Sequence, residues 1–324
     1  MENSKNRPTD SVSAAIEECL DRHLAAGQTL VVGLSGGVDS VVLLHSLQDL
    51  SASRNVKLAC VHVHHALSPN ADDWEIHCRE LCNARSVPLT IERVDVERDS
   101  SDGLEAAARR ARHAAFARVR GDWIALAHHR DDQAETLLFN LLRGTGLAGA
   151  AAMADTNGRL LRPLLNVARA DIRAYAVRNG LRWIEDESNA DTSFSRNHLR
   201  HEVLAGLEER FPGSTANLAA AARRFREARE LLDELAVLDL GAQVADFPLD
   251  VAVLRALTEP RARNVLRYLL QRRHIGIPSE ERLREIVRQL IHAAPDRHPD
   301  AVFGCWRIFR RAGKVIVESV QDDA

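Results

Sequence analysis

Thr29-Leu30-Val31-Val32-Gly33-Leu34-Ser35-Gly36-Gly37-Val38-Asp39-Ser40 is the stretch that decides how this chain folds. Its first half is a short apolar run and reads as an interior strand. Residues 41–47, Val-Val-Leu-Leu-His-Ser-Leu, read as a buried helix. A tight Ser/Gly turn lies between the two. Gly36 and Gly37 let backbone approach a ligand closely, because no Cβ intervenes. The start of the helix leaves amide N–H groups unpaired and carries partial positive charge. Ser35 and Ser40 add hydroxyl donors. The sum is a cradle for phosphate or pyrophosphate. The spacing is too short for a Walker A loop and its terminal Lys is missing, and the turn is not a GxGxxG fingerprint either. The plainer alternative is an ordinary connection with Asp39 or Ser40 as a helix cap. SGGxDS directly after an apolar strand is too specific a pattern for that alternative to be preferred.

Outward from this turn, strands are expected at 29–34, 57–64, 89–94 and 123–127, and helices at 12–26, 38–50, 71–86, 104–120 and 131–142. Repeated β–α units imply an α/β fold with a doubly wound parallel sheet. Ligands of such sheets lie at the carboxyl ends of the strands. The SGGVDS turn, His64-His65 and His128-His129 all follow strand ends, so topology sends all three to one crevice. After the Gly-rich stretch 144–149 the texture changes. A helix is expected at 167–179, then a polar loop, Glu185-Asp186-Glu187-Ser188-Asn189-Ala190-Asp191. Phe211-Pro212-Gly213 marks a boundary. The expected domains are 1–212 and a mostly helical 213–324, the latter ending in a hairpin that turns at Ala312-Gly313.

The chain has 324 residues and a net charge of −3, enough length for two domains and no overall basic balance. Arginine supplies nearly all the positive charge, and it is the better residue for bidentate phosphate contacts. The five cysteines, Cys19, Cys60, Cys78, Cys82 and Cys305, include no CxxC pair, which points to reduced thiols and a cytoplasmic setting. No apolar run reaches membrane-span length, and the polar N-terminus has no secretory h-region.

Three further blocks carry chemistry. Arg109 and Arg112 share a helix face that can hold phosphates or simply be solvated. Asp131, Asp132 and Glu135 open a helix beside the crevice, where they can cap it or clamp an ammonium group or Mg²⁺. The loop at 185–191 leads into Ser195-Arg196-Asn197-His198-Leu199-Arg200, suited to closing over the site or meeting an RNA backbone.

In order along the chain, SGGVDS, VHVHHALSPNADD, LEAAARRARHAAFA, ALAHHRDDQAETLLFNLLRGTGLAGAAAM and RPLL…DESNAD…RN…LR resemble the bacterial tRNA(Ile)-lysidine synthase family of the PP-loop ATP pyrophosphatases. The resemblance covers roughly residues 30–207. It departs mildly at His64, where members often carry Asn, and longer members have a further C-terminal domain that this sequence is expected to lack.

The resemblance implies a reaction. ATP adenylates the C2 oxygen of the wobble cytidine in the CAU anticodon of an isoleucine tRNA, pyrophosphate leaves, and the ε-amine of free L-lysine displaces AMP. It implies ATP binding by Ser35, Gly36, Gly37, Val38, Asp39, Ser40, His64 and His128, with Mg²⁺ at Asp39. Asp39, Asp132, Glu135, Arg109 and Arg112 become the catalytic set. Asp132 and Glu135, with Asp131 in reserve, bind lysine and take its proton. Arg143, Asn189, Arg196 and Arg200 contact the tRNA, as does the C-terminal domain. Homodimers occur in the family. The nearest alternative is a tRNA thiolase of the same superfamily, which normally needs paired cysteines or an iron–sulfur cluster.

Overall fold

Strand β1 (Thr29–Gly33) is hydrogen-bonded on both edges and flanked by apolar cores on both faces. It pairs in parallel with β2 (Lys57–His64), Val32 facing Cys60, and with β4 (Trp123–Ala125), Val32 facing Ala125. The chain is described here from a computed structural model covering residues 10–97, 99–100, 103–187, 191–192, 195–241, 246–294, 297 and 299–320. It divides into two compact units, one reaching Arg223 and one from Arg224 onward, with Gly146–Ala148 grouped with the second.

In the first unit the elements run α1 (Ser11–His23), β1, α2 (Val38–Ser53), β2, α3 (Ala71–Ala84), β3 (Leu89–Arg93), α4 (Leu104–Arg118), β4, α5 (Arg130–Leu142), α6 (Leu147–Ala150), β5 (Thr156–Asn157), β6 (Leu160–Leu161) and α7 (Arg169–Arg178). The sheet order is β3-β2-β1-β4-β6-β5, parallel throughout except for the β5/β6 hairpin. That is the expected doubly wound sheet. β5 and β6 lie outside the expected set because two-residue strands leave no periodic signal. β4 ends at Ala125, two residues short of expectation.

Helix α2 is apolar nearly all round, and residues Val41 to Leu44 are fully buried. A helix of that kind belongs between sheet and other helices rather than at a surface. Helix α1 buries Val12, Ile16, Cys19 and Leu20, one stripe at helical spacing, and begins where Asp10 Oδ1 accepts from the amides of Val12 and Ser13, each at 3.0 Å. Beyond α7 the chain forms α8 (Ser195–His198), a π-helical run (Leu199–Leu204), α9 (Ala205–Arg210) and the 27-residue α10 (Ser214–Leu240).

The second unit continues with β7 (Leu249–Asp250), α11 (Val251–Arg255), α12 (Glu259–Arg272), α13 (Glu280–His292), β8 (Asp300–Phe303), β9 (Trp306–Arg311) and β10 (Lys314–Ser319). The expected hairpin is β9–β10. It turns at Ala312 and Gly313, both with positive φ, as a two-residue turn between right-twisted strands requires. It belongs to a four-stranded antiparallel sheet, order β7-β10-β9-β8, so this unit is less purely helical than its Ala/Leu/Arg/Glu texture suggested.

Arg310, only 4% exposed, ties that sheet to the end of α13. Its Nη1 donates to Leu290 O at 2.9 Å, and its Nη2 to Ala293 O at 2.9 Å, Ala294 O at 2.6 Å and Arg297 O at 3.0 Å. A guanidinium there satisfies orphan carbonyls and meets the negative end of the helix dipole. Arg310→Met keeps the apolar stem and strands those carbonyls. It is expected to destabilise the protein by about 2–4 kcal/mol in urea unfolding. A loss well under 1 kcal/mol contradicts this role.

Candidate active site

The turn after β1 is packed from below. Gly36 has φ +88°, and a Cβ there would stand 3.1 Å from Ile184 Cδ1 and 3.4 Å from Cys78 Sγ. Ser40 staples the turn, its Oγ donating to Gly37 O at 3.0 Å and accepting from the Ser35 amide at 3.2 Å. Gly37 is the N-cap of α2 and offers no side chain to the first-turn amides. Those donors therefore remain available to a ligand. His62 lies beneath, its Nδ1 donating to Leu34 O at 2.9 Å.

Asp39 stands in the first turn of α2. Burial raises its pKa, with Asp132 adding to the effect and His129, Arg169 and Arg200 opposing it. Its Oδ2 lies 3.8 Å from His129 Nε2, while its Oδ1 is buried without a hydrogen-bond partner. An orphaned, buried carboxylate oxygen beside a phosphate cradle fits a divalent cation.

Across the sheet, α5 begins with three carboxylates in three different roles. Asp131 Oδ2 accepts from the Arg169 amide at 3.0 Å and so caps α7. Asp132 Oδ2 accepts from the His129 amide at 2.9 Å. Glu135, 3% exposed, accepts from Arg200 through both oxygens, Nε at 2.5 Å and Nη2 at 2.9 Å, and the same Nη2 reaches Asp132 Oδ1 at 3.2 Å. Burial raises the Glu135 carboxyl against the pull of Arg200. Burial also works to raise Asp132, but His129, His128 and Arg200 outweigh it and hold that carboxyl low. The two carboxyl groups are thus shifted in opposite directions, Glu135 up and Asp132 down.

Two cavities open at the carboxyl ends of the strands. One, of about 670 Å³, is lined by His64, Arg109, Asp132, Glu135, Thr136 and Arg196 among others. The second, of about 590 Å³, is lined by Ser35, Gly37, Val38, Asp39, Ser40, Arg169 and Arg173 among others. His65, Trp74, Arg112, His128 and Arg200 belong to both linings and form the wall between. Arg112 and Arg109 make no hydrogen bond or ion pair among the described residues. Burial, reinforced by Arg109 and Arg196, pulls the Arg112 guanidinium down to about 10. Glu105, already paired with Arg196, only partly offsets them, and clustered cations in excess of their counter-charge favour an anion. Burial likewise pushes down the His128 imidazole, which stays neutral.

The crevice therefore gathers the SGGVDS turn, His64, His65 and His128, Arg109 and Arg112, and Asp132 with Glu135, whereas His129 lines neither cavity. Asp131 lines neither cavity. Arg143 is exposed, with its guanidinium over the Phe139 ring at 5.2 Å. Arg196 covers the same ring at 5.3 Å and pairs with Glu105 at 2.7 Å. Arg200 is committed to carboxylates rather than open to RNA. Asn189 lies outside the described residues. His64 Nε2 donates to Asp72 Oδ1 at 3.0 Å, within reach of Glu75, but both Glu75 oxygens already accept from Arg79 and Arg93. Trp74, Arg169 and Arg173 went unread in the sequence. The Arg169/Arg173 spacing of one helical turn was the available signal.

Residues 8–207 match the family model of the PP-loop domain, and residues 249–316 match that of the TilS substrate binding domain. The fold, the turn and the first of these matches define a PP-loop domain. The tRNA(Ile)-lysidine synthase of Nitrosomonas europaea is 43% identical over 92% of this chain and 67% of that protein. The one from Aromatoleum aromaticum is 51% identical over 82% of this chain and 64% of that protein. This chain belongs to the tRNA(Ile)-lysidine synthase family, and it spans about two thirds of the length of these relatives. Among solved structures, the U34-tRNA thiolase from Methanococcus maripaludis with its 4Fe-4S cluster overlays with a TM-score of 0.54 at 18% identity, over 67% of this chain and 78% of that one, a likeness of fold. Among the described residues no helix is long and apolar enough to cross a membrane.

Burial, together with Arg112, depresses the His65 imidazole to about 4. Unfolded, the same group titrates near ~6.5. Between those values the unfolded chain holds the proton and the native one does not, so stability present above pH ~6.5 is lost as pH falls toward ~4. His65→Asn is expected to flatten that acid slope, by about 1 kcal/mol after allowing for solvent screening of a half-buried group, read from urea midpoints at pH ~7.5 and ~5. An unchanged slope contradicts a neutral, half-buried His65.

Proposed function

We propose that this chain converts the wobble cytidine of a CAU-anticodon isoleucine tRNA to lysidine, using ATP and free L-lysine. One observation carries the reading: a phosphate cradle and a buried carboxylate pair occupy two adjoining cavities with a common wall. A reaction that activates with ATP and then takes up an amine needs both halves within reach of one acceptor atom.

In the first half, the C2 oxygen of cytosine bonds to the α-phosphorus of ATP and the bond to pyrophosphate breaks. The open amides of the SGGVDS turn, Ser35 and Arg169 face the charge that grows on the leaving group. Arg112, in the shared wall, is placed for the phosphorus under attack. Neutral His65 and His128 in the same wall can donate or accept toward the cytosine ring without adding charge. Asp39 would hold a Mg²⁺ ion through its unpartnered oxygen, and bound metal would offset phosphate charge there.

In the second half, the lysine ε-nitrogen bonds to C2 and the bond from C2 to the adenylate oxygen breaks, releasing AMP. The amine attacks only when neutral, and with a solution pKa of ~10.4 that costs roughly 4–5 kcal/mol at pH 7. Asp132, held ionised, binds the ammonium, and Glu135, with its raised pKa, is the better proton acceptor of the pair. Arg143 and Arg196, stacked on Phe139, are suited to phosphates and bases of the anticodon loop. The thiolase alternative finds less support. Cys60, Cys78 and Cys82 are buried and line neither cavity, and burial pushes the Cys78 thiol up to about 12.

The test is incorporation of labelled lysine into an unmodified CAU-anticodon isoleucine tRNA transcript, with and without ATP. ATP-dependent incorporation that needs the anticodon cytidine is expected, and its absence despite intact fold contradicts the reading. Asp39→Asn is expected to slow RNA-dependent pyrophosphate release by about 10²–10³-fold. Glu135→Gln is expected to preserve pyrophosphate release while raising the KM for lysine at least about tenfold. Equal loss of both activities in Glu135→Gln contradicts its assignment to the amine step.

A further inference from the structure

The space between Asp132 and Glu135 already holds a cation. Arg200 places three hydrogen bonds of 2.5, 2.9 and 3.2 Å on the two carboxylates. These are the same oxygens that the proposed function gives to the lysine ammonium, and the present inference rests on that reading. A guanidinium and an ammonium cannot occupy one such site together. We propose that Arg200 is an internal competitor for the amine site, and that lysine binds by displacing it toward the nucleotide cavity.

Two features of the chain suit Arg200 to this role. It sits in the π-helical run Leu199–Leu204, a rare, more loosely wound local geometry that is frequent at functional sites. A small change of winding there re-aims the side chain without moving a packed helix. Arg200 also contributes to the linings of both cavities. Released from Glu135, its guanidinium has a second place to go, beside the Ser35–Ser40 turn and near Asp39, whose charge it already feels.

The exchange sets specificity. An amine must outcompete a bidentate, buried charge pair, so a small amine such as ammonia gains too little to enter, while an amino acid brings further contacts of its own. It also links the two cavities. An anion in the nucleotide cavity offers the displaced Arg200 a partner, so anion and lysine each tighten the other's binding, and by the same factor.

The experiment is calorimetric titration of L-lysine into the full chain, with and without inorganic pyrophosphate. For the wild-type chain, pyrophosphate is expected to tighten lysine binding several-fold. For Arg200→Gln, lysine is expected to bind about tenfold tighter without pyrophosphate and to be insensitive to it. Equal or weaker lysine binding by Arg200→Gln, with no pyrophosphate effect in wild type, overturns the proposal and leaves Arg200 a structural clamp. Glu135→Gln serves as the control: if it leaves lysine affinity unchanged, the amine site itself is misassigned, a different failure. Removing Arg200 strands a buried carboxylate and can harm the fold. The second measurement therefore uses the wild-type chain: lysine is expected to speed amide hydrogen exchange across residues 199–204. Unchanged or slower exchange there overturns the proposal.

Discussion

Hydrogen bonding along both edges of β1 constrains everything that follows it in this protein. With β2 and β4 paired in parallel to either side, the three strands end on one side of the sheet. The segments leaving those ends have no choice but to share a crevice. Leu34 continues the pairing through its amide, which donates to Val61 O at 2.8 Å, so the SGGVDS turn starts from a fixed point. The His64-His65 and His128-His129 pairs are delivered by the same geometry from the neighbouring strands. No long-range design beyond parallel pairing is needed to bring the phosphate cradle and the histidines together.

The second organising principle is the placement of buried charge. Asp39, Asp132 and Glu135 stand close enough to affect one another's protonation, and Arg169, Arg200 and His129 hold them together. Buried ions of this kind are costly unless partnered. Here the partnering is uneven: Glu135 has a bidentate arginine, while among the described residues Asp39 Oδ1 has no hydrogen-bond partner and Arg109 and Arg112 make no ion pair and share only the nearby charge of Glu105. The less fully matched groups, Asp39, Arg109 and Arg112, line the cavities. In the proposed function, a metal–nucleotide substrate and a cationic amine would supply the missing signs.

Much of this was legible in the sequence, for reasons that differ by element. The β1–turn–α2 unit was readable because an apolar strand, two glycines and the apolar run Val41–Leu44 each leave a local signal. The position of Arg109 and Arg112 on one face followed from helical spacing alone. The Arg200 bridge to Glu135 did not, because ion pairs between segments 65 residues apart have no periodicity, and an arginine in a polar stretch looks solvated. Asp131 was grouped with its neighbours by spacing, yet the fold uses it to cap α7, a role set by where residue 169 arrives. The two-residue strands β5 and β6, and β7 and β8 of the second sheet, were hidden by their brevity.

The central claim is that phosphate and amine occupy adjoining cavities on either side of the wall formed by His65, Arg112, His128 and Arg200. The most direct measurement is a crystal structure of the protein with a non-hydrolysable ATP analogue and L-lysine. The account predicts the β- and γ-phosphates on the amides of residues 36–40, and the ε-nitrogen between Asp132 and Glu135 with Arg200 withdrawn. Phosphates bound elsewhere, or lysine bound with its ε-nitrogen away from those two carboxylates, would contradict it.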